Sequence, residues 1–419
     1  MIRISCDSQH QKEQVKRQSQ PLLPFAFCLL PFAFSLYLLS LFAVLCFAQA
    51  PLAAPYAALN RDAVNYNGPG RDAGHDLAGT DIRLGLLAPL AGPRQPEGEA
   101  LARAAQMAVD EENSTSLPAG RRLVLVTRDE SGPWGQASAE IVHLVFDDQA
   151  VALITSAEGG AAHLAEQVGN KVGIPILTLS TDTTTTEINL PWIFRLGPAD
   201  AAQARAFARD IYLERKLQRV VLLTENDHDG RMGGEEFEKA ARQMNAPAPT
   251  RMALEPEKSL ADISLAGLES AQAVVIWAGA AAAKLLATRV RETLPQAPLY
   301  LCRKAVQGDR SALARPRCRA CADDDAGIWT AKAPEGQAES RRGFEQRYRQ
   351  RFGAEPGMGA AQAYDAVHVL AASLRQSGPN RARLRDALSQ VSAFPGAAGL
   401  ISFDHAGNDL TAVTLTRLP

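Results

Sequence analysis

Two short loops carry the groups in this chain best suited to holding a small polar ligand. The first, Ser156-Ala157-Glu158-Gly159-Gly160, is polar and Gly-bearing. The second, Ser180 to Thr186, offers six hydroxyls and one carboxylate, Asp182. Groups of this kind suit hydrogen-bonded capture. Bond-making chemistry has weaker support: there is no nucleophile elbow G-x-S-x-G, phosphate loop or metal motif, and no spacing links Ser, His and Asp. The seven histidines form no i, i+4 pair and lie near no Cys pair. No catalytic metal and no cofactor is therefore expected.

The loops make a site only if the chain sets them side by side. Val151 to Ile154 reads as an apolar strand, and Ala161 to Val172 as a helix with Ala161, Leu164, Ala165 and Val168 on one face. Gly173 stops the helix and Ile174 to Leu179 is the next strand. The loops thus sit at two strand ends one βαβ unit apart, and in an open parallel sheet ligands lie at the carboxyl ends of strands.

Upstream, strands at 82–87 and 122–127 alternate with helices at 99–113 and 137–147, which implies a parallel sheet with right-handed crossovers. Asp200 is a good N-cap for a helix running to Leu217. A second α/β set follows, with strands at 220–224, 250–254, 273–277 and 299–302 and helices at 234–244, 259–268 and 284–293. Its first strand ends in Glu225-Asn-Asp-His-Asp229-Gly230, a third polar strand end. Downstream come a strand at 327–330 and helices at 340–352, 361–377 and 384–391. The aromatic stripe Phe344, Tyr348, Phe352 reads as core packing. Residues 399–418 alternate around a Gly-Asn turn as a β-hairpin.

The 419 residues suit two α/β lobes plus an N-terminal extension. A net charge of −2 gives no basic surface for nucleic acid. Lys12, Lys16 and Arg17 precede an uncharged apolar run, 21–50, that contains Pro24 and Pro31. It reads as a signal peptide or signal anchor, long enough to span a bilayer if uncut. Residues 51–79 read as a flexible tether. The remainder is expected to be periplasmic or otherwise extracytoplasmic. There Cys302, Cys318 and Cys321 are disulfide candidates, most simply Cys302 with one of the other two.

Several segments, in order and spacing, resemble one family. They are Ile82-Arg-Leu-Gly-Leu-Leu-Ala-Pro-Leu-Ala-Gly-Pro93, Ala108-Val-Asp-Glu-Glu-Asn113, Gly173-Ile-Pro175 before Ser180-Thr-Asp182, Tyr364-Asp-Ala366, and Ile401-Ser-Phe-Asp404 with Gly407-Asn408. Together they are similar to the type I periplasmic binding proteins, in the leucine/isoleucine/valine-binding branch that serves ABC importers. The resemblance implies two doubly wound parallel-sheet lobes joined by three crossovers, 80–197 plus 328–395 and 198–327 plus 396–419. It implies a monomer that closes on a small-molecule ligand by a hinge and delivers it to an ABC permease.

It also implies that loop 156–161 holds a ligand carboxylate, with Ser156, Ala157, Glu158 and Gly159 as contacts. Ser180, Thr181 and Asp182 would hold the ammonium with an acid from lobe two. The chain departs from the family where Tyr is frequent, with Glu97 after the first loop, Asp229 before Gly230, and Ala280-Ala281-Ala282. The acid's place falls near Arg303-Lys304. A cation there would repel an ammonium in a closing cleft, leaving Glu158, Asp182 or Asp229 to take the role, or a ligand that is not an α-amino acid. A membrane-tethered sensing ectodomain working with a partner signalling chain is the alternative, and an enzyme the less favoured one.

Overall fold

The computed structural model describes residues 77, 79–115, 120–132, 134–187, 191–254, 267–306, 327–332 and 338–418. The targeting segment, most of the tether, all but the last two residues of the expected helix at 259–268, and both Cys318 and Cys321 lie outside the described residues.

Lobe one is built from β1 (Asp81–Ala88), α1 (Gln95–Ser114), β2 (Arg122–Asp129), α2 (Trp134–Phe146), β3 (Ala152–Thr155), α3 (Gly159–Val172), β4 (Ile176–Thr178), α4 (Thr184–Glu187) and β5 (Ile193–Arg195). Its sheet has the order β2-β1-β3-β4-β5, with every pairing parallel. β3 is buried at all its positions, as expected of a strand covered on both faces. Leu144, Leu153, Leu164 and Ile176 form the core on one face. Leu86, Leu101, Ile154 and Leu370 belong to the core on the other.

Lobe two begins with α5 (Asp200–Ala208), continued as a π-helical stretch over Arg209–Glu214. It goes on through β6 (Val220–Glu225), α6 (His228–Gln243), β7 (Thr250–Leu254), β8 (Ala273–Trp277), α7 (Ala280–Thr293), β9 (Leu299–Leu301) and β10 (Ile328–Lys332). The remaining elements are α8 (Ala338–Phe352), α9 (Met358–Ser377), α10 (Arg381–Leu388), β11 (Phe394–Pro395), β12 (Leu400–Ile401) and β13 (Thr414–Arg417). The second sheet has the order β13-β10-β9-β8-β6-β7, parallel except that β13 runs antiparallel to β10. Trp277 packs in its core at 5.9 Å from Phe207.

Four expectations are corrected by tertiary pairing. First, β10 belongs to the second sheet, between β9 and β13, and Ile328 and Ala331 add to the second core. The chain returns to lobe one after Lys332, where Phe344 and Tyr348 are buried as expected.

Second, the stretch from Gly396 stays on lobe one. Asp365 accepts the Ala397 and Ala398 N–H groups at 2.6 and 2.7 Å, Phe403 packs on Phe194, and Gly407 O accepts the Arg195 N–H at 2.8 Å. Only β13 joins lobe two. Third, the terminal hairpin is reduced to one bridge, Phe403 with Asp409, because Thr414 to Arg417 pairs with the open edge of β10 instead. Fourth, Ala199 is the N-cap of α5, while Asp200 is buried one position inside the helix. Among the described residues the chain passes between the two cores three times, and no helix is long and apolar enough to cross a membrane.

Two helix starts shape the site. α6 begins at His228, six residues earlier than expected, because Asp227 caps it by accepting the Gly230 N–H at 2.7 Å. A Cβ at Gly233 would collide with the Trp277 indole, so this run of glycines permits close packing rather than breaking the helix. α3 begins at Gly159 and ends at Gly173, whose φ of 65° supplies the left-handed terminus.

Candidate functional site

The carboxyl ends of β3 and β4 face the N-terminus of α6 and the turn after β9, where charged side chains of the two lobes meet. On one side of the seam Lys304 Nζ lies 2.6 Å from Glu158 Oε1 of lobe one and 2.5 Å from Asp229 Oδ2 of lobe two. Arg94 Nη1 approaches the same Glu158 oxygen at 3.0 Å. The second Asp229 oxygen accepts the Gly159 N–H, at the start of α3, at 3.0 Å. A carboxylate of the protein itself thus sits where an exposed helix N-terminus would bind an anion. Burial disfavours the Lys304 ammonium, but Asp229, Glu158 and Asp227 outweigh it and raise its pKa well above the usual value. Burial likewise opposes the Glu158 carboxylate, and Lys304 and Arg94 reverse this to lower its pKa.

On the other side Asp182 gathers two imidazoles. Its Oδ2 lies 2.6 Å from His228 Nε2 of lobe two and 3.1 Å from His163 Nε2 of lobe one. Its Oδ1 accepts the Thr184 N–H and hydroxyl at 2.9 and 2.8 Å. His163 Nδ1 lies 2.9 Å from Glu166 Oε2. Burial penalises the Asp182 carboxylate, yet hydrogen bonds from His163, His228 and Thr184 hold it far below the usual range. Hydrogen bonds to Asp182 and Glu166 raise His163 to about 9.

The expected hydroxyls are brought here but are spent inside the protein. The buried Ser156 hydroxyl donates to Glu130 and accepts the Glu158 N–H at 3.1 Å. Ser180 Oγ accepts the Asp182 N–H at 3.1 Å, and the Thr181 hydroxyl bonds to the Asp200 side chain. Ala157 is buried, and Glu97 reaches the site only through Arg94, at 3.1 Å. Burial pushes Glu130 and Asp200 up to about 7. Beside the seam a cavity of about 390 Å³ is lined by Arg94, Glu130, Glu158, Pro89, Ala161 and Leu164.

Cys302 is a free, fully buried thiol whose Sγ lies 3.6 Å from Ala278 O; its expected partners, Cys318 and Cys321, lie outside the described residues. It sits at the end of β9 in the second core, and burial pushes the thiol up to about 12.

Four participants escaped the sequence reading: Arg94, His163, Glu166 and His228. The histidines are 65 positions apart, so no local spacing could announce them. One signal existed: His163 follows Gly159 by one helical turn, and His228 neighbours Asp229 at a strand end.

Two lobes of parallel sheet, three crossings and a polar seam between the strand ends define a two-lobed binding protein. The chain matches the family described as Periplasmic binding protein over residues 81–416, and it belongs to that family. It is 31% identical over 148 residues to Leu/Ile/Val-binding protein homolog 7 of Brucella abortus, covering 35% of this chain and 36% of that relative. It therefore spans little more than a third of that relative's length. Among solved structures it resembles the leucine-binding protein of Thermotoga maritima, with TM-score 0.68, 16% identity, and coverage of 80% of this chain and 95% of that one. It also resembles an ABC-transporter solute-binding protein from R. palustris in complex with benzoate, with TM-score 0.69, 21% identity, and coverage of 81% and 93%. At these identities the structures speak to the fold.

Proposed function

We propose that this protein is an extracytoplasmic solute-binding protein that clamps a small polar ligand between its lobes for an ABC importer. The ligand class is an amino acid, an amide or a related carboxylate. The observation that carries the reading is the seam itself. Lys304–Glu158, Asp229–Gly159 and His228–Asp182 all cross from lobe two to lobe one at the strand ends. The adjoining cavity of about 390 Å³, lined by lobe-one residues alone, falls within the size range of small-ligand pockets and supplies the lobe-one half of the proposed clamp.

The same seam argues against leucine. The Gly159 amide already holds the Asp229 carboxylate, and the Glu158 and Asp229 carboxylates already hold the Lys304 ammonium. A free amino acid would have to displace both. No catalytic step is assigned to these groups.

Thermal-shift screening against amino acids, short amides, urea and small carboxylates tests the reading, with calorimetry and product analysis for every hit. Binding without turnover is expected, with leucine among the weak ligands. Steady product formation would overturn the binder, and micromolar leucine affinity would overturn the argument from the occupied amide. Recovery of the native protein bound to a signalling chain, with its N-terminal segment intact, would favour the tethered sensor instead.

A further inference from the structure

The geometry points to a transition-metal site that bridges the lobes, formed by His163 Nε2, Asp182 Oδ2 and His228 Nε2. These three atoms all lie within 4.8 Å of one another. Two donors on a tetrahedral Zn²⁺, each at about 2.0–2.1 Å, stand roughly 3.3 Å apart. The Asp182 oxygen is 3.1 Å from His163 Nε2 and 2.6 Å from His228 Nε2, so coordination requires small side-chain adjustments and the release of His163 Nε2 from the Thr184 hydroxyl, 2.9 Å away.

Three further features favour an ion over a plain hydrogen-bonded cluster. His163 turns its other nitrogen to the buried Glu166 carboxylate at 2.9 Å, the carboxylate–histidine arrangement that orients a metal-binding imidazole and raises its basicity. Asp182 is held by Thr184 through Oδ1 alone, which directs Oδ2 at the two imidazoles. Asp182 and His228 also crowd a position that has no side chain, so a side chain at 159 would push into the space beside them. A Cβ at Gly159 would lie 2.5 Å from Asp229 Oδ1, 2.9 Å from Asp182 Oδ2 and 2.9 Å from His228 Cδ2.

Three protein ligands leave a fourth position for water or an anionic oxygen of a solute. Two imidazoles and a carboxylate suit Zn²⁺, Ni²⁺ or Co²⁺ better than Mg²⁺ or Ca²⁺, which prefer oxygen. His163 and Asp182 belong to lobe one and His228 to lobe two, so the ion would join the lobes and favour their closed arrangement. The inference stands on side chains of the seam and does not depend on which solute the protein carries.

The test uses the tag-free chain, stripped with EDTA and titrated calorimetrically with ZnCl₂ and NiCl₂, each variant being checked for folding by circular dichroism. One ion per chain is expected, with a rise in melting temperature. His228→Ala, on a partly exposed side chain, should weaken binding at least 100-fold. Glu166→Gln should weaken it 10- to 100-fold. Magnesium should not compete. Absence of binding to the wild type overturns the site, as does equal affinity in a folded His228→Ala variant, which would place the ion elsewhere. Solute binding measured with EDTA present reports on the transport reading separately.

Discussion

The two sides of the inter-lobe seam use the same device with different chemistry. Around Lys304 a permanent cation neutralises carboxylates from both lobes. Around Asp182 a single carboxylate gathers two imidazoles, one from each lobe, whose charge depends on pH or on a competing ion. Gly159 lies between the two clusters and gives its amide to the first while leaving room for the second. The contrast teaches that one seam can hold a latch built on a lysine ammonium and another built on imidazoles a few ångströms apart, the second weakening as His163 loses its charge while pH rises through about 9.

The largest expected effect would come from breaking the first latch. Lys304→Met leaves Glu158 and Asp229 facing each other without their cation. Removing one member of a buried ion pair costs about 3–5 kcal/mol, and denaturant unfolding should show it. A loss below about 1 kcal/mol would mean that water already screens this cluster.

Gly159→Ala strikes both latches at once, since the added methyl would meet Asp229, Asp182 and His228. Overpacking of this kind costs about 1–3 kcal/mol. Combining it with Asp229→Ala in a double-mutant cycle should recover part of the loss, whereas simple additivity would show that the lobes merely move apart.

pH separates the two clusters. His163 is raised to about 9 in the folded protein, so its contribution is complete below about 6.5 and is lost as pH rises through 9. Between pH 7 and 10 the wild type should lose about 1–2 kcal/mol that His163→Gln does not, a figure reduced for partial exposure. Equal pH profiles for the two proteins would erase the distinction between the latches.

The smallest effect concerns Glu130 beneath Ser156. Burial raises it to about 7, so its stabilising protonated form is present below about 4.5 and is lost as pH rises through 7. Glu130→Gln, which keeps the hydroxyl partner, should stabilise the protein by roughly 1 kcal/mol at pH 8 and leave it unchanged at pH 5. Destabilisation at pH 8 would show instead that the charged carboxylate is needed beside Arg94.

Much of the fold was legible. The apolar runs of β3, β6 and β8 and the periodicity of α3 and α9 could be read directly, because strands covered on both faces and amphipathic helices impose their own patterns. The errors fell where a long-range partner outweighed local preference. β13 chose the edge of β10 over a hairpin, and Asp200 was buried against Gln203, at 2.9 Å, rather than capping α5. Both polar loops do lie at the seam, where Glu158 and Asp229 meet Lys304 and Asp182 meets His228. The Ser156 bond to Glu130 was not legible, since it joins positions 26 apart.

The sequence alone determined the alternation of strands and helices and put polar residues at the strand ends, because those features are written in spacing over a few residues. Tertiary structure decided that Asp229 caps a helix of the other lobe, that Lys304 sits among carboxylates instead of in water, and that His163 and His228 share Asp182. Those pairings join positions tens of residues apart. Their energies depend on burial and on separations of a few ångströms, neither of which a local pattern encodes.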